Sequence, residues 1–449
     1  MLDQCCQTTG ALDADVAALL PHGAAVDERG VLVLGGVDVT TLAARFGTPL
    51  YIYDEDAIRV ACRSYINAFV RGSPANHVHY ASKAYLAPWL CRVLRDEGLG
   101  LDVVSGGELH VALSSGAPAH DIRLHGNNKE HGEIRDALDA SVGCIAVDGL
   151  DELRLVSEAA RGLQAPVMLR FALGVQVETH PYLQTSLLDG KFGVPLAGEG
   201  DPGADARAIV RAALTLPNLD LRGYHAHVES NLFDPAPVAL TMRHLIALSR
   251  GLYEETGYWP AELCPGSGLG VAMVRGERAP AVEALAEAVL KEVVGAAPLP
   301  SVSVEPGRSI VGRAGVALYT VGACKDVEGV RRCVAVDGGM ADNIRPALYD
   351  AAYTALPATK MTAPLVETVE VAGRYCESGD ILVHAAPLPH LERGDLLALP
   401  GAGAYCLAMC SSYNGALRPA VVVVRNGEAR LVQRRGSLAD LLAYDIQEE

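Results

Sequence analysis

Lys83 closes the apolar run VHYASK, which starts at Val78, and seven further runs each end on or just before a polar residue or a glycine cluster. In chain order these are Asp102 with Ser105, Asn127, Asp148, Arg170, His227, residues 266–270 (GSGLG) and Glu305. Any one of them alone reads as something ordinary: a solvated lysine, a core histidine, a tight turn. Together they supply an amine, a carboxylate far along the chain, an imidazole and a stretch of unobstructed backbone N–H. That set suits pyridoxal phosphate chemistry, in which a lysine amine bonds the aldehyde and a protonated pyridine ring accepts electrons from a breaking Cα bond. Lys83 is the candidate amine. Glu305 is the candidate partner of the ring nitrogen, because a nearby negative charge keeps that nitrogen protonated. Gly266, Ser267 and Gly268 let backbone N–H groups approach a phosphate without a Cβ in the way. His227 is a candidate to lie flat on the ring.

Residues separated by about 220 positions need a scaffold that gathers them. The eight runs are VHYASK, LDVV from Leu101, IRLHGN from Ile122, CIAVD from Cys144, VMLRFAL from Val167, LRGYHAHV from Leu221, ELCPG from Glu262 and SVSVEPG from Ser301. They alternate with amphipathic stretches, as successive βα units do. The first five start about 22 residues apart, which is room for one strand, one short helix and two loops. Residues 281–294 (AVEALAEAVLKEVV) have helical spacing between the last two strands. Eight such units predict an α/β fold, a closed TIM-like (β/α)8 barrel in preference to an open doubly wound sheet. Barrels collect reactive side chains at the C-terminal ends of their strands.

After Gly312 the texture changes to VALYTVGAC, RRCVAVDGG, LVETVEVAG, DLLALPGAGAY and AVVVVRNGEARLV, divided by Gly, Pro and Asp turns. This predicts a C-terminal all-β domain. Residues 31–34 and 37–39 read as short strands that pair with its sheet. The expected organisation is therefore residues 1–44 as a segment joining the β domain, 45–312 as the barrel, and 313–449 as the β domain.

The 449 residues are 50% hydrophobic, enough for two or three domains with sizeable cores. With 37 Lys and Arg against 54 Asp and Glu, the net charge of -17 opposes a polyanion, so nucleic acid is not an expected partner. No apolar run reaches the length of a membrane span, and no basic region precedes an apolar one near residue 1. The expectation is a soluble, cytoplasmic protein with a small-molecule ligand and no membrane partner. The eleven cysteines show no paired zinc spacing, Cys5 and Cys6 being adjacent and Cys406 and Cys410 four apart. Reduced thiols and no metal site are the expectation.

The blocks YASKA (residues 80–84), LDVVSGGEL (101–109), HGNNK (125–129), KFG (191–193), EPGRSIVG (305–312), RPALYDA (345–351), CESGD (376–380) and GAYC (403–406) follow one another at compatible spacing. In type and order they resemble those of the fold-type III pyridoxal-phosphate decarboxylases, the alanine-racemase-like barrel family, and within it the diaminopimelate decarboxylases. The resemblance extends from about residue 34 to residue 419. It implies Lys83 as the Schiff-base lysine, His227 stacked on the ring, Glu305 at the ring nitrogen, and Gly268 with Tyr405 at the phosphate. Asp102, Glu108, Arg170 and Ser230 take supporting positions around the cofactor, and Arg308 serves cofactor and substrate alike. The resemblance also implies a homodimer with shared active sites, in which Cys376 and Glu377 act across the subunit interface. There Cys376 protonates the product and Glu377 meets the substrate's distal ammonium. Arg308, Arg345 and Tyr349, together with Tyr405, are implied at the substrate; a guanidinium fork suits its distal carboxylate. The implied activity is decarboxylation of meso-diaminopimelate to L-lysine in lysine biosynthesis.

The chain departs from that pattern in three places. It has His227-Val228-Glu229-Ser230-Asn231 where the family usually has His-Ile-Gly-Ser-Gln, and Gly266-Ser267-Gly268 where three glycines are usual. Thr185-Ser186 and Gly190-Lys191 replace Thr-Gly and Ser-Lys pairs. If the strand continued through residue 229, alternation would put Glu229 on the face of His227, toward the ring. These departures leave open decarboxylation of another amino acid, free or carrier-bound, in a specialised pathway. A non-catalytic pyridoxal-phosphate-binding relative is a further reading. Lys191, Asn127 and Asn128 are read as supporting residues.

Overall fold

A computed structural model describes residues 12–175, 190–196 and 204–446. The chain forms two compact units. One comprises Arg59–Gly270 and Ala279–Ile310; the other comprises the residues up to Ile58, Val271–Arg278, and Val311 onward.

The first unit is a parallel barrel of eight strands: β1 (His77–Ala81), β2 (Gly100–Val103), β3 (Ile122–Leu124), β4 (Cys144–Val147), β5 (Ala165–Ala172), β6 (Leu219–His225), β7 (Glu262–Cys264) and β8 (Ser301–Val304). Each pairs with its sequence neighbour, and β8 pairs with β1 through Ser303 with His77 and Val304 with Val78, so the sheet has no free edge. The strands follow the apolar runs because parallel barrel strands are covered on both faces, as the wholly buried CIAV of β4 shows. A helix follows each of the first seven strands. In Leu150–Ala159, for example, Leu153, Val156 and Ala159 form a buried stripe while Asp151 and Glu152 occupy the first turn, where carboxylates favour the helix N-terminus. The expected helix between the last two strands is Val282–Val293.

In the second unit one sheet runs, in spatial order, Ile381–Leu388, Glu367–Ala372, Arg331–Val336, Gly315–Val327, Leu50–Asp54, Ala420–Arg425 and Glu428–Gln433. Leu396–Pro400 also pairs with Gly315–Val327. Two features differ from the sequence expectation. The strand Ile381–Leu388 was not anticipated, its HAAP centre being weakly patterned. The early residues 31–34 and 37–39 do not pair with this sheet. Leu32–Leu34 instead forms a local three-stranded antiparallel sheet with Ala25–Val26 and Val37–Asp38. The reason is local: Gly35 and Gly36 at φ 55° and 85° fold the chain straight back on itself. Asp38 then accepts from Thr41 N–H at 3.0 Å and starts the helix Val39–Phe46, so Val39 is helical. The strand that does enter the large sheet is Leu50–Asp54, buried at all five positions. No helix of the described residues is long and apolar enough to cross a membrane.

Gly223 in β6 faces Glu262 of β7 at a register irregularity against β5, and a Cβ there would overlap the Glu262 carbonyl. Gly223→Ala should therefore destabilise the barrel by about 1–3 kcal/mol, the usual range for overpacking. Urea denaturation of the two proteins measures this, and an unchanged midpoint would contradict the close β6–β7 contact.

Candidate active site

Closure of the barrel brings its first and last strands together, and with them the two residues most distant in the candidate set. Beyond the paired residues, Ala81 N–H donates to Pro306 O at 3.0 Å. Gly307 sits where a Cβ would lie 3.1 Å from Ala81 Cβ and 3.2 Å from Ala84 Cβ. Lys83 is the exposed middle residue of the turn Ser82–Ala84 that follows β1, and Glu305 directly follows β8. Both line one cavity of about 270 Å³, together with Asp102 of β2, His125, Asn127, Arg170 of β5, Lys191, Phe192, His225 and His227.

The floor of this cavity is a buried polar network. His225 Nε2 lies 2.9 Å from Glu305 Oε2, and His125 Nε2 lies 3.1 Å from Oε1 and 3.8 Å from Asp102 Oδ1. Burial alone would raise the Glu305 carboxyl. The two imidazoles outweigh it and hold Glu305 well below the usual carboxylate range, ionised. Asp102, buried and beside that charge, is pushed the other way. Burial lowers His225 to about 4, so its neutral ring donates Nε2–H to the carboxylate. Beneath them Arg123 of β3 bonds Glu262 of β7, and its Nη1 donates to Ser303 Oγ of β8 at 2.8 Å and stands 3.9 Å from Glu305 Oε1. The donor atoms of His125, His225 and Glu305 lie within 4.8 Å of one another, a spacing a metal ion could use. The adjacent guanidinium opposes a dication there.

Arg170 lies 3.8 Å from Asp148 Oδ1 and stacks over Phe192, 4.5 Å from the ring centroid. Asp148 also accepts from Gly193 N–H at 3.0 Å, so Asp148 and Arg170 brace the KFG block. Glu108 closes a helix start: its Oε2 accepts from Val104 N–H at 2.8 Å, and its own N–H donates to Ser105 Oγ at 3.2 Å. Burial raises its carboxyl to about 7.

β6 ends at His225, so His227 and Glu229 lie beyond the strand, and strand alternation does not carry Glu229 to the face of His227 as the sequence suggested. Gly266 and Gly268, at φ 75° and 103°, have no room for side chains: a Cβ would collide with His227 Nδ1 at the first and with the Glu229 carbonyl at the second. Ser267 Oγ is fully buried between them, beside the Tyr65 hydroxyl. Ser230 Oγ accepts from Arg308 Nη2 at 3.2 Å.

The other predicted residues belong to the second unit. Arg345 is buried, donates from Nε to Tyr353 Oη at 3.1 Å, and has its guanidinium 5.4 Å from the Tyr349 ring centroid and 5.9 Å from that of Tyr405. Tyr405 adopts φ 59°, uncommon for a bulky residue. Cys376 and Glu377 sit exposed on a turn, where Cys376 N–H donates to Asn414 Oδ1 at 2.9 Å. Thr185 and Ser186 lie outside the described residues; Gly190 is exposed. Sequence reasoning passed over His125, His225, Arg123 and Glu262. The signal was present, since Arg123 with His125 and His225 with His227 are i, i+2 pairs at strand ends.

The arrangement offers an amine at one side of a cavity, an ionised carboxylate at the other that can hold a protonated ring nitrogen, and, packed against His227, a glycine turn whose backbone N–H groups carry no Cβ beside them. Residues 55–312 match the family described as "Pyridoxal-dependent decarboxylase, pyridoxal binding domain". A diaminopimelate decarboxylase of Bacillus methanolicus is 41% identical over 422 residues, covering 92% of this chain and 96% of that protein. One from Corynebacterium efficiens is 41% identical over 442 residues, covering 96% and 95%. The crystal structure of a diaminopimelate decarboxylase from M. jannaschii in complex with L-lysine superposes with a TM-score of 0.88 at 32% identity, over 95% of this chain and 98% of that one.

His225 stays neutral in the fold down to about pH 4, whereas an unfolded histidine takes its proton near pH 6.5. Between those values the unfolded state binds more protons, so stability should rise with pH by up to about 1.4 kcal/mol per unit from this group. Denaturation at a series of pH values should show a shallower slope in that window for His225→Asn; an identical slope would refute the assignment.

Proposed function

The chain belongs to the pyridoxal-dependent decarboxylases, and from that premise we propose that it decarboxylates meso-diaminopimelate to L-lysine and carbon dioxide, with pyridoxal phosphate as cofactor. The observation that carries the reading is the pairing of Lys83 with an ionised Glu305 in one cavity. The substrate is supported by the diaminopimelate decarboxylases that match along nearly the whole chain. The residues fit the cofactor: Asp102 Oδ1, in the cavity lining, is buried without a hydrogen-bond partner among the described residues, and Gly266 and Gly268 hold a positive-φ turn whose backbone N–H groups no Cβ obstructs.

Pyridoxal phosphate, when bound, supplies an aldehyde that bonds amines and a protonated ring that takes up the electron pair left when carbon dioxide departs. Lys83 Nζ would be the amine that holds it. Glu305 keeps the proton on the ring nitrogen; His225 and His125 keep Glu305 ionised so that it can. His227, in the same cavity lining, would pack against the cofactor. The N–H groups of residues 266–268, the Ser267 hydroxyl, Ser230, Arg308 and Tyr405 would be the groups to hold its phosphate, and Asp102 and Arg170 would support the ring side. Arg308, Arg345, Tyr349, Glu377 and Tyr405 bind the substrate's distal end, where arginine forks suit a carboxylate. Cys376 Sγ delivers the proton that replaces the lost carboxylate. We assign Cys376 and Glu377 to the site of a second copy, in a homodimer with shared active sites in the cytoplasm.

Lys83→Ala should lose carbon dioxide release from meso-diaminopimelate together with the visible absorbance of the lysine-bound cofactor. Cys376→Ala should keep that absorbance and lose about 10²–10⁴ in kcat, the usual worth of a positioned proton donor. A panel including ornithine, lysine and other amino acids tests the substrate. Release from another member and none from diaminopimelate would overturn the substrate while leaving the reaction class. Full turnover by Lys83→Ala would overturn both.

A further inference from the structure

Residues 229–232 run alongside the glycine turn. Leu232 N–H donates to Gly268 O and Gly270 N–H to Leu232 O, both at 2.8 Å, and the Glu229 carbonyl occupies the place a Gly268 side chain would need. The Glu229 side chain is fully buried in this corner, and neither of its oxygens has a hydrogen-bond partner among the described residues. A buried carboxylate in that condition is among the most costly groups a fold can carry, unless it is protonated or a ligand satisfies it. An orphaned buried carboxyl therefore belongs to the residue whose backbone packs on the turn assigned above to the cofactor's phosphate.

We propose that Glu229 governs the pH dependence of anion binding at this turn, admitting a phosphate as the neutral acid and repelling it as the carboxylate. The inference rests on the cofactor reading given above. Burial raises the Glu229 carboxyl to about 7, so the two forms exchange near neutrality. Burial is the whole cause, with no neighbouring charge acting on the carboxyl; the groups of the segments around it that can carry charge are His227, two residues before it, and Arg308, which reaches the adjacent Ser230, while the turn brings Ser267 with Tyr65. Burial keeps His227 neutral, and Arg308 reaches Ser230. Neither forms a hydrogen bond with Glu229. The sign follows: above the Glu229 transition a fixed negative charge stands beside a phosphate that is itself dianionic, and binding weakens.

The test is the dissociation constant of pyridoxal phosphate for the full-length protein, read by absorbance from pH 6 to 8.5, in the wild type, Glu229→Gln and Glu229→Ala. The phosphate's own ionisation and that of the anchoring amine act equally on all three. The wild type should lose about tenfold more affinity than either variant across the range, the worth of one nearby charge. Pyridoxal without its phosphate should give parallel profiles. Parallel profiles with pyridoxal phosphate overturn the role of Glu229 and leave the cofactor reading standing, as would a Glu229 effect equal for pyridoxal and its phosphate. No binding of pyridoxal phosphate by any of the three overturns the cofactor reading and this inference with it.

Discussion

The pairing of β8 with β1 is the constraint on which the site depends. Two strand pairs, Ser303 with His77 and Val304 with Val78, and the Ala81–Pro306 hydrogen bond beyond them, turn a linear series of βα units into a ring. An open sheet built from the same eight runs would leave Lys83 and Glu305 on opposite edges. Gly307 is part of the same device, because its missing side chain is what lets the last strand's exit lie against Ala81 and Ala84.

The second requirement is electrostatic. A carboxylate taken out of water becomes an acid unless neighbouring groups prefer its charged form. Around Glu305 the preference comes from His225, His125 and, behind them, Arg123, itself matched to Glu262. Strand β3 contributes Arg123 and leads into His125, and β6, β7 and β8 each contribute or lead into one further member, so the charge at the cavity floor belongs to the barrel and not to any one loop. Asp102, raised while Glu305 is lowered, shows how finely the two carboxyls are separated.

Much of this was legible in the chain. The eight apolar runs correspond to the eight barrel strands, because strands buried on both faces must be continuously apolar, and Lys83 and Glu305 stood out at their ends. The histidine support was harder to see. His125 and His225 act on another protein group, so their spacing carries no chemistry until the register of β3, β6 and β8 is known. Arg123 and Glu262 look like solvated charges in a one-dimensional reading and become an interior pair only when the ring closes. Glu229 was legible as an anomaly of residue type, but strand alternation could not give its direction, because β6 stops four residues earlier. The pairing of residues 31–34 failed for a similar reason: two glycines favoured a local hairpin over a distant sheet, and the place in that sheet went to Leu50–Asp54.

That last strand lies between Gly315–Val327, antiparallel to it, and Ala420–Arg425, parallel to it. Its neighbours are made long after it. With synthesis at roughly 5–20 residues per second, the nascent Leu50–Asp54 waits tens of seconds for Ala420–Arg425 to leave the ribosome. All eight barrel strands are translated in that interval, so the order of synthesis allows the barrel to be assembled first while an apolar, unpaired segment must be kept from meeting its counterpart on another nascent chain. A chain ending between Val327 and Ala420 would pair that segment along one side only and leave its other edge open for another copy.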